Sequence, residues 1–348
     1  MNLYGKIGIL HLQANNMFNP EEIKRYSRHL LLPGIGEEGQ RKLKSAKVLV
    51  IGAGGLGCPV LQYLAAAGVG TIGIVDFDVV EESNLQRQIL YTAEDIGKPK
   101  AIIAKTKLAA QNPHIIIVSH PIHLSSENAL ETFAAYDIVV DGSDNFATRY
   151  LVNDACVILG KVLVFASIFK FEGQVSVFNY KDGPTYRCLY PEPPSEGEVP
   201  NCSETGVIGV LPGIAGTLQA NEVIKIITGI GEPLSGKLLA FDALTMQFNM
   251  FTIKKDPANL TVKMLRSSPV FCAAIRELSQ KEVKEILQEC SAVVIDVRNS
   301  EEHWQGNIGG ENIPLSELDG GLERFSKDTP LVFYCASGIR SRKAVMVA

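Results

Sequence analysis

The stretch Lys47-Val48-Leu49-Val50-Ile51-Gly52-Ala53-Gly54-Gly55-Leu56-Gly57 decides how this chain folds. Five strand-favouring residues run into a glycine loop, and a segment rich in Ala and Leu continues to Ala67. Gly68 and Gly70 then lead into a second strand-like run, Thr71–Asp76. Strand, glycine turn, helix and strand within about 30 residues make a βαβ unit, which predicts a parallel sheet. Gly52, Gly54 and Gly57, with Gly55 between them, offer backbone N–H groups and a helix N-terminus to a phosphate. Asp76 ends the second strand about 20 residues on, where a carboxylate can hold ribose hydroxyls.

The alternation continues outward. Lys100–Gln111 reads as a helix, Ile115–Ser119 and Tyr136–Asp141 as strands, Asn145–Leu159 as a helix and Val162–Ser167 as a strand. Gly173–Phe178 follows, then a loop dense in Pro, Glu and Gly from Asp182 to Asn201, and a helix around Gly213–Ile227. Lys237–Asp242 and Gln247–Ile253 are strand-like and are expected to close the sheet in antiparallel fashion. Upstream, Pro20–Leu32 reads as one helix, capped by Asn19 and begun by Pro20, with Glu21 and Glu22 at its positive end. Residues 1–19 read as a flexible leader. The polar, Pro-interrupted residues 255–269 read as a linker. A smaller α/β pattern then starts near Cys272, with a helix to about Gln288, strands Ala292–Val297 and Leu331–Tyr334, and a helix start near Arg340.

The bulk numbers suit this division. The 348 residues allow about two domains. With 46% apolar and 20% charged residues the chain has the make-up of a soluble globular protein. No apolar run approaches the ~18 residues that span a bilayer, and no signal-peptide pattern is present, so a cytoplasmic protein without a membrane partner is expected. A net charge of −5 provides no basic field for nucleic acid. Seven scattered cysteines suggest thiols, not a disulfide framework.

On the glycine loop alone, a nicotinamide-dependent oxidoreductase is as good a reading as any other. The next residues shift the balance. Asp76 and Asp78 run into Ser83-Asn84-Leu85-Gln86-Arg87-Gln88 and then Gly97-Lys98-Pro99-Lys100. Amides and cations beside the second strand suit a triphosphate, whose charge grows on the departing pyrophosphate. Asp144, in Asp141-Gly142-Ser143-Asp144-Asn145, falls at the C-terminal end of an expected parallel strand, where ligands bind. Its carboxylate can hold Mg2+ on phosphate oxygens or cap the following helix, a task Asn145 or Ser143 could also perform.

With these motifs and Arg25-Tyr26-Ser27-Arg28, the chain from Tyr26 to about Phe251 resembles the MoeB/ThiF family, relatives of the ubiquitin-activating enzymes. The resemblance implies a Rossmann-like doubly wound sheet over residues 20–254. It also implies ATP-dependent adenylation of the Gly-Gly C-terminus of a small ubiquitin-like sulfur carrier protein. Asp76 would bind ribose, Asn84, Arg87 and Lys100 the phosphates with Gln88 and Asp78 beside them, and Asp144 the Mg2+. Arg28 resembles an arginine lent to the neighbouring subunit's ATP, which implies a homodimer; the alternative is a surface charge. A non-catalytic scaffold that only binds the carrier is the other class to weigh, and Arg87, Lys100 and Asp144 argue against it.

Cys58 and Cys156 fall within apolar helices and read as buried packing residues. Cys202, after the Pro/Glu-rich loop, resembles a loop cysteine that forms a covalent intermediate in some relatives and is dispensable in others. Many relatives carry zinc on two Cys-x-x-Cys pairs. Here one pair survives only as Thr185-Tyr186-Arg187-Cys188, so no zinc is expected.

Cys335-Ala336-Ser337-Gly338-Ile339-Arg340-Ser341 follows a strand and opens a helix, so loop N–H groups and the helix dipole favour a thiolate there, with Arg340 adding charge. With Ile295-Asp296-Val297-Arg298, Gly309-Gly310 and Asn312–Leu315, residues 270–348 resemble a rhodanese domain, read as incomplete at its C-terminus. Its cysteine would carry transferable sulfur, supplied by a cysteine desulfurase or another donor. A phosphatase-like or inactive loop is the alternative. Molybdopterin synthesis, thiamin-thiazole synthesis and tRNA thiolation are all open pathways.

Overall fold

The computed structural model describes residues 18–194, 206–265, 278, 280–289, 292–322, 324–326, 329–336 and 338–347. The chain divides into two compact units between residues 267 and 268. Of the expected leader, Phe18 and Asn19 are described. Phe18 is buried against Tyr26 with Lys44 over its ring, and Asn19 caps the helix Pro20–Arg25 by accepting from the Glu22 N–H.

The first unit is built on an eight-stranded sheet in the order β3-β2-β1-β4-β5-β6-β7-β8. The strands are β1 (Lys47–Ile51), β2 (Thr71–Val75), β3 (Ile116–His120), β4 (Ile138–Asp141), β5 (Val162–Phe169), β6 (Glu172–Phe178), β7 (Lys237–Asp242) and β8 (Gln247–Thr252). The first five pair in parallel, and β5 to β8 continue as an antiparallel meander. In β1 the side chains alternate between two cores. Val48 and Val50 face one that includes Val60, Leu64, Ala104 and Val223, while Leu49 and Ile51 face another that includes Phe133, Val152, Phe165 and Tyr186. Burial on both faces is why β1 reads as an unbroken apolar run.

Four helices matter for the site: α1 (Gly57–Ala67), α2 (Lys100–Gln111), α3 (Phe146–Leu159) and α4 (Leu211–Thr228). The strand order reverses between β1, which pairs with β2, and β4, which begins the other half of the sheet. That reversal opens a crevice at the carboxyl ends of these strands, where such sheets bind ligands.

The expected single helix over Pro20–Leu32 is broken. Pro20–Arg25 and Ser27–Leu30 are separate, with Tyr26 between them at φ −91° and ψ 10°. Tyr26 is buried with its hydroxyl accepting from Asn112 Nδ2 at 2.9 Å, and its ring lies where a Cβ on Gly68 would stand. Docking the ring onto partners distant in sequence overrides the local helical pattern. A further helix, Gly36–Ser45, lies where none was expected.

In the second unit a three-stranded parallel sheet is formed by β9 (Val293–Asp296), β10 (Glu311–Asn312) and β11 (Leu331–Tyr334), in the order β10-β9-β11. Ile295, Val297, Ile313, Leu318 and Ala344 form its core. Among the described residues, no helix is long and apolar enough to cross a membrane.

Candidate active site

The glycine loop between β1 and α1 is held from three sides. Gly52 sits at φ +87°, a conformation that only glycine adopts without strain. A Cβ at Gly57 would lie 2.0 Å from the Gly52 carbonyl oxygen, so the helix can start this close to the strand only with glycine there. The residue between is pinned at both its backbone groups. The Ala53 N–H donates to Asp76 Oδ2 at 2.7 Å, and the Tyr91 hydroxyl donates to the Ala53 carbonyl at 2.8 Å.

Asp76 also accepts the Asp78 N–H at 2.9 Å, so its carboxylate spends two lone pairs on shaping the loop and keeps others for a ligand. Burial raises its pKa above the usual carboxylate value, and the neighbouring Lys100 charge opposes the rise. Lys100 opens α2 and is itself only 6% exposed, with Nζ 3.1 Å from Asp78 Oδ2. A lysine seldom lies so deep unless an anion meets it. Asn84 is buried on a 3-10 turn, its side chain accepting from the Glu81 N–H and donating to Ser83 Oγ. Arg87 donates to the Ser83 carbonyl at 3.1 Å, and the Gln88 side-chain oxygen is buried with no hydrogen-bond partner. These side chains project from the segment that follows β2.

The loop after β4 packs backbone to backbone on the glycine loop. Gly142 N–H donates to the Ile51 carbonyl at 2.8 Å, and a Cβ on Gly52 would lie 2.9 Å from the Gly142 carbonyl oxygen. Asn145, not Asp144, caps α3, its side chain accepting the Thr148 N–H at 2.9 Å. Asp144 is thereby left exposed beside the glycine loop with its carboxylate unspent on the cap. A hard, exposed carboxylate oxygen suits Mg2+, which takes one or two such ligands beside phosphate oxygens and waters.

Arg28 lies elsewhere. Tyr26 docks beside Gly68 and Asn112, and His29 bonds Gln40, whose amide donates to the Ala67 carbonyl. All of these mark the C-terminal end of α1 and the starts of β2 and β3, one helix length (about 16 Å) from the glycine loop. The fold does not bring Arg28 to its own chain's loop.

Cys58 and Cys156 are fully buried; burial pushes the Cys58 thiol up to about 12 and holds Cys156 well above the usual thiol value. Neither is a nucleophile. Cys202 lies outside the described residues, as do Cys272 and Cys290.

In the second unit, Cys335 follows β11, with the Gly338 N–H 3.1 Å and the Ser341 N–H 3.4 Å from its Sγ. Two backbone donors aimed at one sulfur form a cradle for a negatively charged sulfur atom. Arg340 makes a two-pronged pair with Glu302, at 2.5 and 2.7 Å, which fixes the start of the last helix against Ser300–Gln305. Its charge is therefore shared with a carboxylate. Asp296, at the end of β9, is fully buried; burial raises its pKa, but hydrogen bonds from Arg298 and His303 hold it well below the usual carboxylate range.

Thr185 and Cys188, where the sequence resemblance would place one half of a zinc site, do not fit a zinc ion. Thr185 Oγ1 donates to the Asn259 carbonyl at 2.8 Å, and Cys188 Sγ accepts the Asp256 N–H at 3.4 Å. One thiol within a hydrogen-bonded clasp cannot supply four soft ligands. Among the described residues no group of three or more His, Cys, Asp or Glu side chains is placed to hold a metal. The clasp is expected to be metal-independent: a strong zinc chelator should leave the thermal unfolding midpoint unchanged. A fall of several degrees, with zinc recovered by elemental analysis, would contradict this.

Sequence reasoning missed Tyr91, Arg149 and Gln219. None belongs to a recognisable motif, and each acts on a neighbour that only the folded chain supplies.

Residues 26–262 match the ThiF family and residues 279–348 the rhodanese-like domain. The chain is 56% identical over 242 residues to the sulfur carrier protein adenylyltransferase of Thermus thermophilus, covering 68% of this chain and 89% of that one. It is 41% identical over 367 residues to the adenylyltransferase and sulfurtransferase MOCS3 of Drosophila ananassae, covering 97% of this chain and 80% of that one. Among solved structures, MccB of E. coli with ATP matches with a TM-score of 0.60 at 26% identity, over 69% of this chain and 74% of MccB.

Proposed function

Because the chain belongs to the ThiF family and carries a rhodanese-like domain, we propose that it adenylates the Gly-Gly C-terminus of a ubiquitin-like sulfur carrier and transfers sulfur to it. The carrier carboxylate attacks the α-phosphorus of ATP. A carboxylate-oxygen-to-phosphorus bond forms, the bond to the bridging oxygen breaks, and pyrophosphate leaves. The glycine loop's N–H groups and the start of α1 receive the phosphates, Asp76 the ribose, and Lys100 with Arg87, Asn84 and Gln88 the growing charge on pyrophosphate. Asp144 would hold Mg2+, which would supply positive charge to offset that of the triphosphate and the departing pyrophosphate.

One observation supports this reading above the others. The loops after β1 and β4 lie back to back at the strand-order reversal, presenting a phosphate cradle and an exposed carboxylate together, with a buried lysine at the neighbouring strand. A hydride-transfer site requires no such cation. Exchange of labelled pyrophosphate into ATP that depends on added carrier tests the reading. Tight NADH binding without exchange would favour the oxidoreductase instead.

The outer sulfur of a Cys335 persulfide then attacks the acyl-adenylate carbonyl carbon. The carbon–oxygen bond to AMP breaks and AMP leaves, giving an acyl disulfide to Cys335. An external thiol reductant cleaves that S–S bond, freeing the carrier thiocarboxylate and returning Cys335. The sulfur itself comes from a desulfurase or another donor.

The position of Arg28 supports a homodimer in which each subunit's arginine serves its partner's ATP. Arg28→Ala and Asp144→Ala are each expected to be inactive, and mixing them should restore about a quarter of the wild-type sites, since half the dimers are mixed and each holds one intact site. No recovery after subunit exchange would refute the shared site.

A further inference from the structure

The residue before Asp144 is clamped from both sides by buried charged groups. Ser143 donates its N–H and its Oγ to Asp141 Oδ1, at 2.9 and 2.6 Å. Its carbonyl accepts from Arg149 NH2 at 3.4 Å. The residue after Asp144 is fixed as well, because Asn145 is the helix cap. Asp144 is thus a single exposed residue between two immobilised ones.

The clamp extends backwards into the core. Asp141 is 1% exposed and Arg149 8% exposed. The Arg149 guanidinium lies over the rings of Phe146 and Phe165, at 5.3 and 5.7 Å. Gln219 reaches from α4 to donate to the carbonyls of Asp141, at 2.7 Å, and Val164, at 3.3 Å, tying the end of β4 to the first half of β5. Burying an acid and a guanidinium is costly, and neutral side chains could hold a loop of this size. The loop that these two side chains hold, each through Ser143, is the one that carries Asp144.

We infer that Asp141, Arg149 and Gln219 are positioning residues for adenylation, holding Ser143 so that Asp144 meets the metal–triphosphate in one orientation. This rests on the metal role given to Asp144 above. None of the three touches the reacting atoms; each acts through the backbone of the 142–145 loop. A carboxylate that must be oriented at the moment of binding loses part of its affinity to that ordering, and a pre-set one does not.

The test is carrier-dependent ATP–pyrophosphate exchange by the full chain, titrated with Mg2+. Asp141→Asn, which keeps the shape and removes the charge, is expected to raise the half-saturating Mg2+ concentration about tenfold, within the 10–100-fold range for residues that orient a metal ligand. Ser143→Ala removes the hydroxyl donor to Asp141 while keeping the acid and the backbone donor, and should shift the titration in the same direction by less. It carries the decision if Asp141→Asn does not fold. Wild-type Mg2+ dependence in both variants, with Asp144→Ala impaired, would overturn the positioning role and leave the role of Asp144 intact. Wild-type Mg2+ dependence in Asp144→Ala would remove the metal role itself, and this inference with it.

Discussion

Replacing Asp144 with alanine is expected to lower carrier-dependent ATP–pyrophosphate exchange by about 100–1,000-fold, the scale of losing one electrostatic contact to a transition-state charge. The direction follows from placement. Asp144 is exposed beside the glycine loop while Asn145 caps α3, so the substitution removes neither a cap nor a core contact. Stability should therefore change little, since exposed substitutions away from such features are usually worth within about 0.5 kcal/mol. Carrier binding, measured by titration calorimetry without ATP, should also persist, because it requires no metal. Activity retained near the wild-type level would take Asp144 out of the site.

The second large effect is in the other unit. Cys335→Ala is expected to abolish persulfide formation from thiosulfate, read by mass spectrometry of the intact protein, and to leave adenylate formation unchanged. The Gly338 and Ser341 N–H groups converge on this sulfur, and a methyl group has nothing to present to them. No role in nucleotide binding is expected for Cys335, because the glycine loop, Asp76, Lys100 and Asp144 all belong to the first unit. Joint loss of persulfide and adenylate would show that the two chemistries are not separable as drawn here. Cys335→Ser provides a control of similar size that keeps a polar atom in the cradle and still cannot hold sulfane sulfur.

Much of the fold could be read locally, because its signals are local. The run Lys47–Ile51, the glycines after it and the apolar helix to Ala67 lie within one βαβ unit, and the structure places each where it was read. Lys237–Asp242 and Leu331–Tyr334 are likewise strands over the same residues. The failures share a cause. Tyr26 breaks its helix because its hydroxyl and ring meet Asn112 and Gly68, 86 and 42 positions away in the chain. Gly36–Ser45 contains two glycines, which speak against a helix in isolation. Its folded form gains ion pairs from Glu37 to Arg41 and from Glu38 to Lys42, and buries Leu43 completely.

The site divides in the same way. Gly52, Asp76, Lys100 and Asp144 could be named because spacing along a strand–turn–helix unit fixes what they face. Tyr91, Arg149 and Gln219 could not, since they bond Ala53, Ser143 and Asp141 across the fold and do so through backbone atoms that carry no sequence signature. Of the cysteines, burial separates Cys58 and Cys156 from Cys335, as their apolar surroundings in the sequence suggest.

The most direct measurement is the mass of a Gly-Gly-terminated carrier incubated with this protein, ATP and Mg2+, with the nucleotide products identified in parallel. Adenylation predicts a carrier heavier by one AMP group at its C-terminal glycine and an equal amount of pyrophosphate, with no adduct on a carrier lacking the two glycines. ADP and inorganic phosphate in place of pyrophosphate, or an unmodified carrier, would contradict the account.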